Sequence, residues 1–157
     1  MRKIILILDN IRSVENTASI FRTADCLGVE KIYLVGTTPS PIDRFGRKRK
    51  DFAKVALGAE EFVSWEVNKS ISSVIEKLKS DGFKIIALEQ SQNSTELRNF
   101  QTSQLHNFAL VVGNEVDGVS RGALDIADAI VEIPMRGTKE SLNVAVATGI
   151  ALFSLLN

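Results

Sequence analysis

The stretch FALVVGNEVDGVS, Phe108–Ser120, decides how this sequence is read. Its first residues are apolar and rich in valine, which predicts a short strand over Phe108–Val112 covered on both faces. The strand runs into the turn Gly113-Asn-Glu-Val-Asp-Gly118, and then into a helix predicted over Ser120–Ala127. A strand–turn–helix unit of this kind belongs to an α/β sheet, where ligands bind beyond the carboxyl ends of the strands. Gly113 and Gly118 are spaced like the ends of a phosphate loop. Val119 stands where such a loop carries lysine, and no G-x-G-x-x-G fingerprint is present. A plain turn accounts for the glycines, through their freedom to take positive φ. It does not account for an Asn114-Glu115 pair at a strand end.

Outward from this unit, the same alternation recurs. Ile4–Leu8, Lys31–Val35, Lys84–Leu88 and Ala129–Ile133 read as further strands, each short and bounded by Gly, Asp, Asn or Pro. Val14–Leu27, Lys50–Leu57, Ile71–Ser80 and Leu142–Leu156 read as helices. The expected architecture is α/β, a mainly parallel sheet flanked by helices, in one domain over residues 1–157. No repeat, low-complexity tract or Gly/Ser linker divides the chain.

Composition narrows the function classes. A chain of 157 residues buries roughly two-thirds of its unfolded surface and needs no covalent staple. One cysteine, Cys26, and one histidine, His106, exclude an internal disulfide and any metal site built from several Cys and His. A lone thiol suits a reducing compartment, and the expected location is the cytoplasm. The apolar run at the start stops at Asp9, too soon for a signal peptide, and reads as a strand. The 19 basic and 19 acidic residues cancel, so net charge does not attract nucleic acid. The cancellation hides a local excess: Arg44, Arg47, Lys48, Arg49, Lys50 and Lys54 cluster beside Phe45 and Phe52, after Pro39, Pro41 and Gly46. This segment reads as a mobile loop entering a helix, suited to nucleic-acid phosphates. A solvated surface run is the plainer alternative.

Two more segments are polar without structural need. Asn10–Asp25 follows the first strand, with Asn10 or Ser13 available to cap a helix. Arg22 shares a face with Ala18 and Glu15; a surface ion pair with Glu15 or Asp25 is its plain reading. Ile133–Asn143 leads into the last helix, with Ser141 as the expected N-cap and Asn143 unexplained on an apolar element. That last helix is apolar on every side, and a chain this small covers only one side itself. A second subunit is expected to cover the other. Its fifteen residues fall short of the ~20 that a membrane span requires.

Taken in order, Asn16-Thr-Ala-Ser-Ile-Phe-Arg22, Val112-Gly-Asn-Glu115 and Ile133-Pro-Met with Ser141-Leu-Asn-Val-Ala-Val-Ala147 resemble the three motifs of the SpoU/TrmH family. These are RNA 2′-O-ribose methyltransferases of the SPOUT class, and the resemblance spans essentially the whole chain. Ala145 stands where many members carry serine. The resemblance implies an α/β knot, in which the C-terminal segment threads a trefoil, an exception to unknotted connections. It also implies S-adenosylmethionine as cofactor, RNA (tRNA or rRNA) as partner, a homodimer, no metal, and a minimal single-domain member. The dimer and the basic loop would then do the work of an added RNA-binding domain.

By the same resemblance the catalytic set is Arg22, Asn16, Glu115, Ser141 and Asn143. Backbone groups near Leu88, Gly113, Ile133 and Leu142 would cradle the cofactor, with Met135 close by. A free arginine is a poor base. Arg22 is therefore expected to fix a phosphate and stabilise developing alkoxide charge, with the proton passing through that phosphate. Asn16 would hold Arg22 or the ribose, Glu115 would neutralise basic groups or position the cofactor, and Ser141 and Asn143 would shape the junction between the two. An RNA-binding module without catalysis is the alternative, although binding alone does not need that polar set. A hydrolase finds no support, because the chain lacks a G-x-S-x-G elbow.

Overall fold

The computed structural model describes residues 1–157. Seven strands form one sheet: β1 (Ile4–Asp9), β2 (Lys31–Val35), β3 (Ser64–Asn68), β4 (Lys84–Leu88), β5 (Thr95–Glu96), β6 (Phe108–Gly113) and β7 (Ala129–Glu132). Their spatial order is β3-β2-β1-β6-β4-β7-β5, and every pairing is parallel. The helices are α1 (Val14–Cys26), α2 (Lys50–Ala56), α3 (Ala59–Phe62), α4 (Ile71–Ser80), α5 (Arg121–Ile126) and α6 (Val144–Leu156).

Side-chain alternation along the strands feeds two cores. Ile4, Leu6 and Leu8 of β1 pack with α1, α2 and α6, where Phe21 meets Phe52 edge-to-face at 5.1 Å. Ile5 and Ile7 point the other way, towards Val74, Ile75 and Leu78 of α4 and Ala123 of α5. The five strands predicted from apolar runs, β1, β2, β4, β6 and β7, are the five inner strands. Two strands are additional: β3, whose sequence SWEVN is largely exposed, and the two-residue β5. Both are sheet edges, where one side of the ladder and much of the side-chain surface meet water, so an apolar run is not required there.

The order places β6 between β1 and β4, so the chain departs from β1 to one side and later returns to the other. A crevice opens beyond the carboxyl ends at such a switch point. The register aligns those ends: Asp9 opposite Gly113, Leu88 opposite Val112 and Val131.

Candidate active site

A cavity of about 290 Å³ lies at these strand ends, near the lower bound of roughly 300 Å³ for small-molecule sites. Leu88, Gly113, Ile133, Met135 and Leu142 all line it, together with Glu115 and Ser141. Four glutamates contribute to its wall, Glu89, Glu115, Glu132 and Glu140, and no Lys, Arg or His does. The wall is therefore part apolar and part anionic. A ligand with a flat apolar body and positive charge fits this donor set; a phosphate does not.

The Gly113–Ser120 turn that closes one side is held from both neighbouring strands. Asp9, buried at the end of β1, accepts a hydrogen bond from Ser120 N at 2.7 Å. Glu89, just beyond β4, accepts one from Val119 N at 2.6 Å. Asn114 folds the turn on itself, its Oδ1 accepting from Val116 N and Asp117 N, while its Nδ2 donates to the Asn10 carbonyl at 3.0 Å. Both positions favour glycine: a Cβ on Gly113 would overlap the Gly118 carbonyl, and Gly118 takes φ +68°, where a Cβ would also displace the Glu89 carboxylate.

From Glu115 on the cavity wall, a chain of hydrogen bonds runs to Asn16 and Asn143, neither of which lines the cavity. Asn16 Nδ2 donates to Glu115 Oε1 at 3.0 Å, and Asn143 Nδ2 donates to Asn16 Oδ1 at 3.0 Å. Asn143 Oδ1 in turn accepts from Ala145 N and Val146 N. Asn143, not Ser141, is therefore the N-cap of α6. Capping needs a side-chain oxygen over the first free N–H groups, and α6 begins at Val144, two residues too late for Ser141. Ser13 caps α1, accepting from Asn16 N at 3.0 Å; Asn10 instead takes φ +55° and accepts from Thr37 N.

Arg22 does not line the cavity. It is exposed on α1, about 9 Å along the helix axis from Asn16. It forms no ion pair, so the expected plain pairing with Glu15 or Asp25 is absent. His106 is exposed in the loop before β6, away from the cavity. No group of three or more His, Cys, Asp or Glu is placed to hold a metal ion.

The basic segment, expected to be a loop entering a helix, has internal hydrogen-bonded order. Residues 41–49 form a closed turn: Ile42 bridges Lys48 antiparallel, and Asp43 N donates to Arg47 O at 2.8 Å. Three of the six cations are neutralised locally, Arg47 by Asp43, Lys48 by Glu61 and Arg49 by Asp51. Hydrogen bonds from the Arg47 backbone and side chain hold the Asp43 carboxyl below its ordinary range, Arg49 does the same for Asp51, and Glu61 raises Lys48. Arg44, Lys50 and Lys54 have no ion-pair partner.

Sequence reasoning overlooked Asp9, Glu89, Glu132 and Glu140. Each is a charged residue at or just after a strand end or at the cavity wall. A carboxylate directly following an apolar run, as at Asp9 and Glu89, is the signal that marks the first two.

Strand order and strand-end cavity define an open parallel α/β protein built to hold a small organic ligand at its switch point. Residues 3–153 match the SpoU rRNA Methylase family, and the chain belongs to it. It is 35% identical over 153 residues to a tRNA (guanosine(18)-2'-O)-methyltransferase of Aquifex aeolicus, covering 97% of this chain and 68% of that protein. An AdoMet-bound rRNA methyltransferase from Sinorhizobium meliloti superposes with a TM-score of 0.87 at 27% identity, over 99% of this chain and 56% of that one. A chain solved in work on 2-OH methylation of C/U34 on tRNA shares the fold, with a TM-score of 0.79 at 23% identity, over 99% of this chain and 95% of its own length. The chain spans between 59% and 68% of the length of the tRNA (guanosine(18)-2'-O)-methyltransferases it matches.

Proposed function

We propose that this chain transfers a methyl group from S-adenosylmethionine to a ribose 2′-hydroxyl of a tRNA or rRNA. The observation that carries the reading is the anionic, partly apolar cavity at Leu88, Gly113, Ile133, Met135 and Leu142, whose wall residue Glu115 is hydrogen-bonded to Asn16 and through it to Asn143. The names of its relatives, a tRNA 2′-O-methyltransferase and an AdoMet-bound rRNA methyltransferase, support it.

S-adenosylmethionine, when bound, supplies a methyl group on a positively charged sulfur. The four glutamates favour a cationic ligand over the RNA backbone, so the cavity sorts donor from substrate by charge. Leu88, Ile133, Met135 and Leu142 offer apolar surface to a heterocycle, and Gly113 leaves its backbone open to close approach. Ser141 and Asn143 stand at the junction where the ribose would meet the donor. Asn16 fixes Glu115 on one side and Asn143 on the other, so each polar group is oriented before substrate arrives.

Arg22 has a free guanidinium outside the anionic cavity, which suits it to an RNA phosphate rather than to the donor. A guanidinium is a poor base, so Arg22 is not assigned the proton-abstracting role. Its proposed role, once RNA is bound, is to anchor a substrate phosphate and stabilise the developing alkoxide, with the hydroxyl proton relayed through a phosphate oxygen to solvent.

The remaining features belong to the same proposal. Val146, Ile150 and Phe153 leave an exposed apolar stripe along α6, at 52%, 43% and 63% exposure, which a second copy covers in a homodimer. The chain acts as one domain with the threaded C-terminal segment that the resemblance implies. It works in the cytoplasm, where its single exposed thiol, Cys26, stays reduced. The test is labelled S-adenosylmethionine with bulk tRNA and rRNA, beside calorimetry of donor binding; absence of donor binding contradicts the enzyme reading.

A further inference from the structure

The turn at residues 41–49 presents a feature that phosphate binding does not require. Phe45 stands at its apex with 66% of its surface exposed, whereas nearby Phe52 is fully buried in the core. The apex is organised by hydrogen bonds. Asp43 Oδ1 accepts from Phe45 N at 2.8 Å and from Arg47 N at 3.0 Å, while Oδ2 accepts from Arg47 Nε at 3.0 Å. Gly46 N closes the turn on Asp43 O at 3.0 Å, with φ +78°. The backbone that carries the ring is thus held by hydrogen bonds, while most of the Phe45 surface stays open to solvent.

Its surroundings identify a partner by charge and shape. The guanidinium groups of Arg44 and Arg47 lie 4.8 Å and 5.0 Å from the ring centroid. Lys48, Arg49 and Lys50 line the adjacent hollow with Arg44 and Arg47, five cations against the two carboxylates of Asp43 and Asp51. An aromatic face among cations matches a nucleotide, whose base stacks while its phosphate is neutralised. Cation–π contacts at exposed sites are weaker than base–aromatic stacking, so an incoming base displaces a guanidinium towards its phosphate.

We propose that Phe45, flanked by Arg44 and Arg47, is a stacking platform for an unpaired nucleobase of the RNA substrate. It rests on the reading that the chain acts on RNA, and it deepens that reading by selecting single-stranded or looped RNA over continuous duplex. In a duplex both faces of each base are already stacked, leaving nothing for Phe45 to engage.

The experiment is fluorescence anisotropy of the full chain with labelled oligo(rA), oligo(rU) and a perfectly paired RNA duplex, across a salt series without S-adenosylmethionine. Phe45→Ala is expected to weaken single-strand binding about 5- to 100-fold and leave the salt slope unchanged. Duplex binding should stay as in wild type, and Phe45→Tyr should restore single-strand affinity where Phe45→Leu does not. Thermal midpoints equal to wild type confirm folding, as expected for an exposed side chain.

Equal single-strand binding by wild type and Phe45→Ala overturns the platform while leaving the methyltransferase reading intact. Equal losses on duplex and single strand overturn it too, since they indicate charge or general surface contact. A wild-type protein that self-associates through Phe45, shown by sedimentation and lost in Phe45→Ala, overturns it in favour of a protein contact. Wild type that binds none of these RNAs contradicts both proposals.

Discussion

Asn16 and Asn143, separated by 127 positions, share a hydrogen bond of 3.0 Å from Asn143 Nδ2 to Asn16 Oδ1. One amide therefore does two jobs. Its oxygen caps α6, and its nitrogen ties that helix start to α1 and, through Asn16, to Glu115. The site is consequently as rigid as the packing of α1 against α6.

This dual role separates two variants. Asn143→Ala removes both functions and should cost about 1 kcal/mol of stability, read as a lower thermal midpoint, together with activity. Asn143→Asp retains the capping oxygen but cannot donate to Asn16. It should melt close to wild type and still lose most methyl transfer. Equal activity in Asn143→Asp and wild type would show that the link to Asn16 is dispensable.

Arg22 stands outside the donor cavity and has no acidic partner. Arg22→Ala should therefore bind S-adenosylmethionine as wild type does by calorimetry and lose turnover in a labelled-methyl assay. Because nothing pairs with it, the thermal midpoint should hardly move. A wild-type rate in Arg22→Ala contradicts its assigned role.

The basic turn makes a graded prediction. Charge reversal at Arg47, Lys48 and Arg49 should weaken RNA binding and flatten its salt dependence. Removing the unpaired Arg44, Lys50 and Lys54 by alanine should lower the slope by close to one ion each. Alanine at Arg47, Lys48 or Arg49 should lower it less, because Asp43, Glu61 and Asp51 already compensate those charges. An identical effect at all six positions contradicts that division.

Asp43 gives the pH dependence. Its carboxyl is held below the ordinary value of 3.8, first by the Arg47 backbone N–H. A depressed carboxyl contributes stability that is fully present above its unfolded value and lost as pH falls through the folded one. The turn should thus stay formed from neutral pH down to about pH 4 and open below the depressed value. A carboxyl NMR titration of Asp43 should place its midpoint under 3.8 in wild type, and return it towards 3.8 in Arg47→Ala. A wild-type midpoint at or above the ordinary value contradicts the hydrogen-bonded turn.

Much of this was legible in the chain itself, for physical reasons. The inner strands are apolar runs because both faces are covered, so Ile4–Leu8, Lys84–Leu88 and Phe108–Val112 stand out. β3 does not, because an edge strand with mostly exposed side chains needs no such run. The residues lining the cavity from β4, β6 and β7 were placed by resemblance to a family. Periodicity alone does not reveal that β6 lies between β1 and β4, and that order is what brings Glu89 and Glu132 to the same cavity. The cap of α6 was misplaced because Ser141 and Asn143 are equally good capping residues locally. The choice falls to Asn143 through a tertiary bond that local sequence does not encode. The order within the basic segment was hidden likewise, since it depends on how Asp43 folds back on Phe45 and Arg47.

The central claim is that this anionic cavity holds a methyl donor for RNA ribose. The most direct measurement incubates the protein with methyl-labelled S-adenosylmethionine and bulk tRNA and rRNA, then maps labelled nucleotides after hydrolysis. The account predicts label on a ribose 2′-oxygen, in wild type and not in Arg22→Ala. Label on a base, or no label in any RNA although the donor binds, would contradict it.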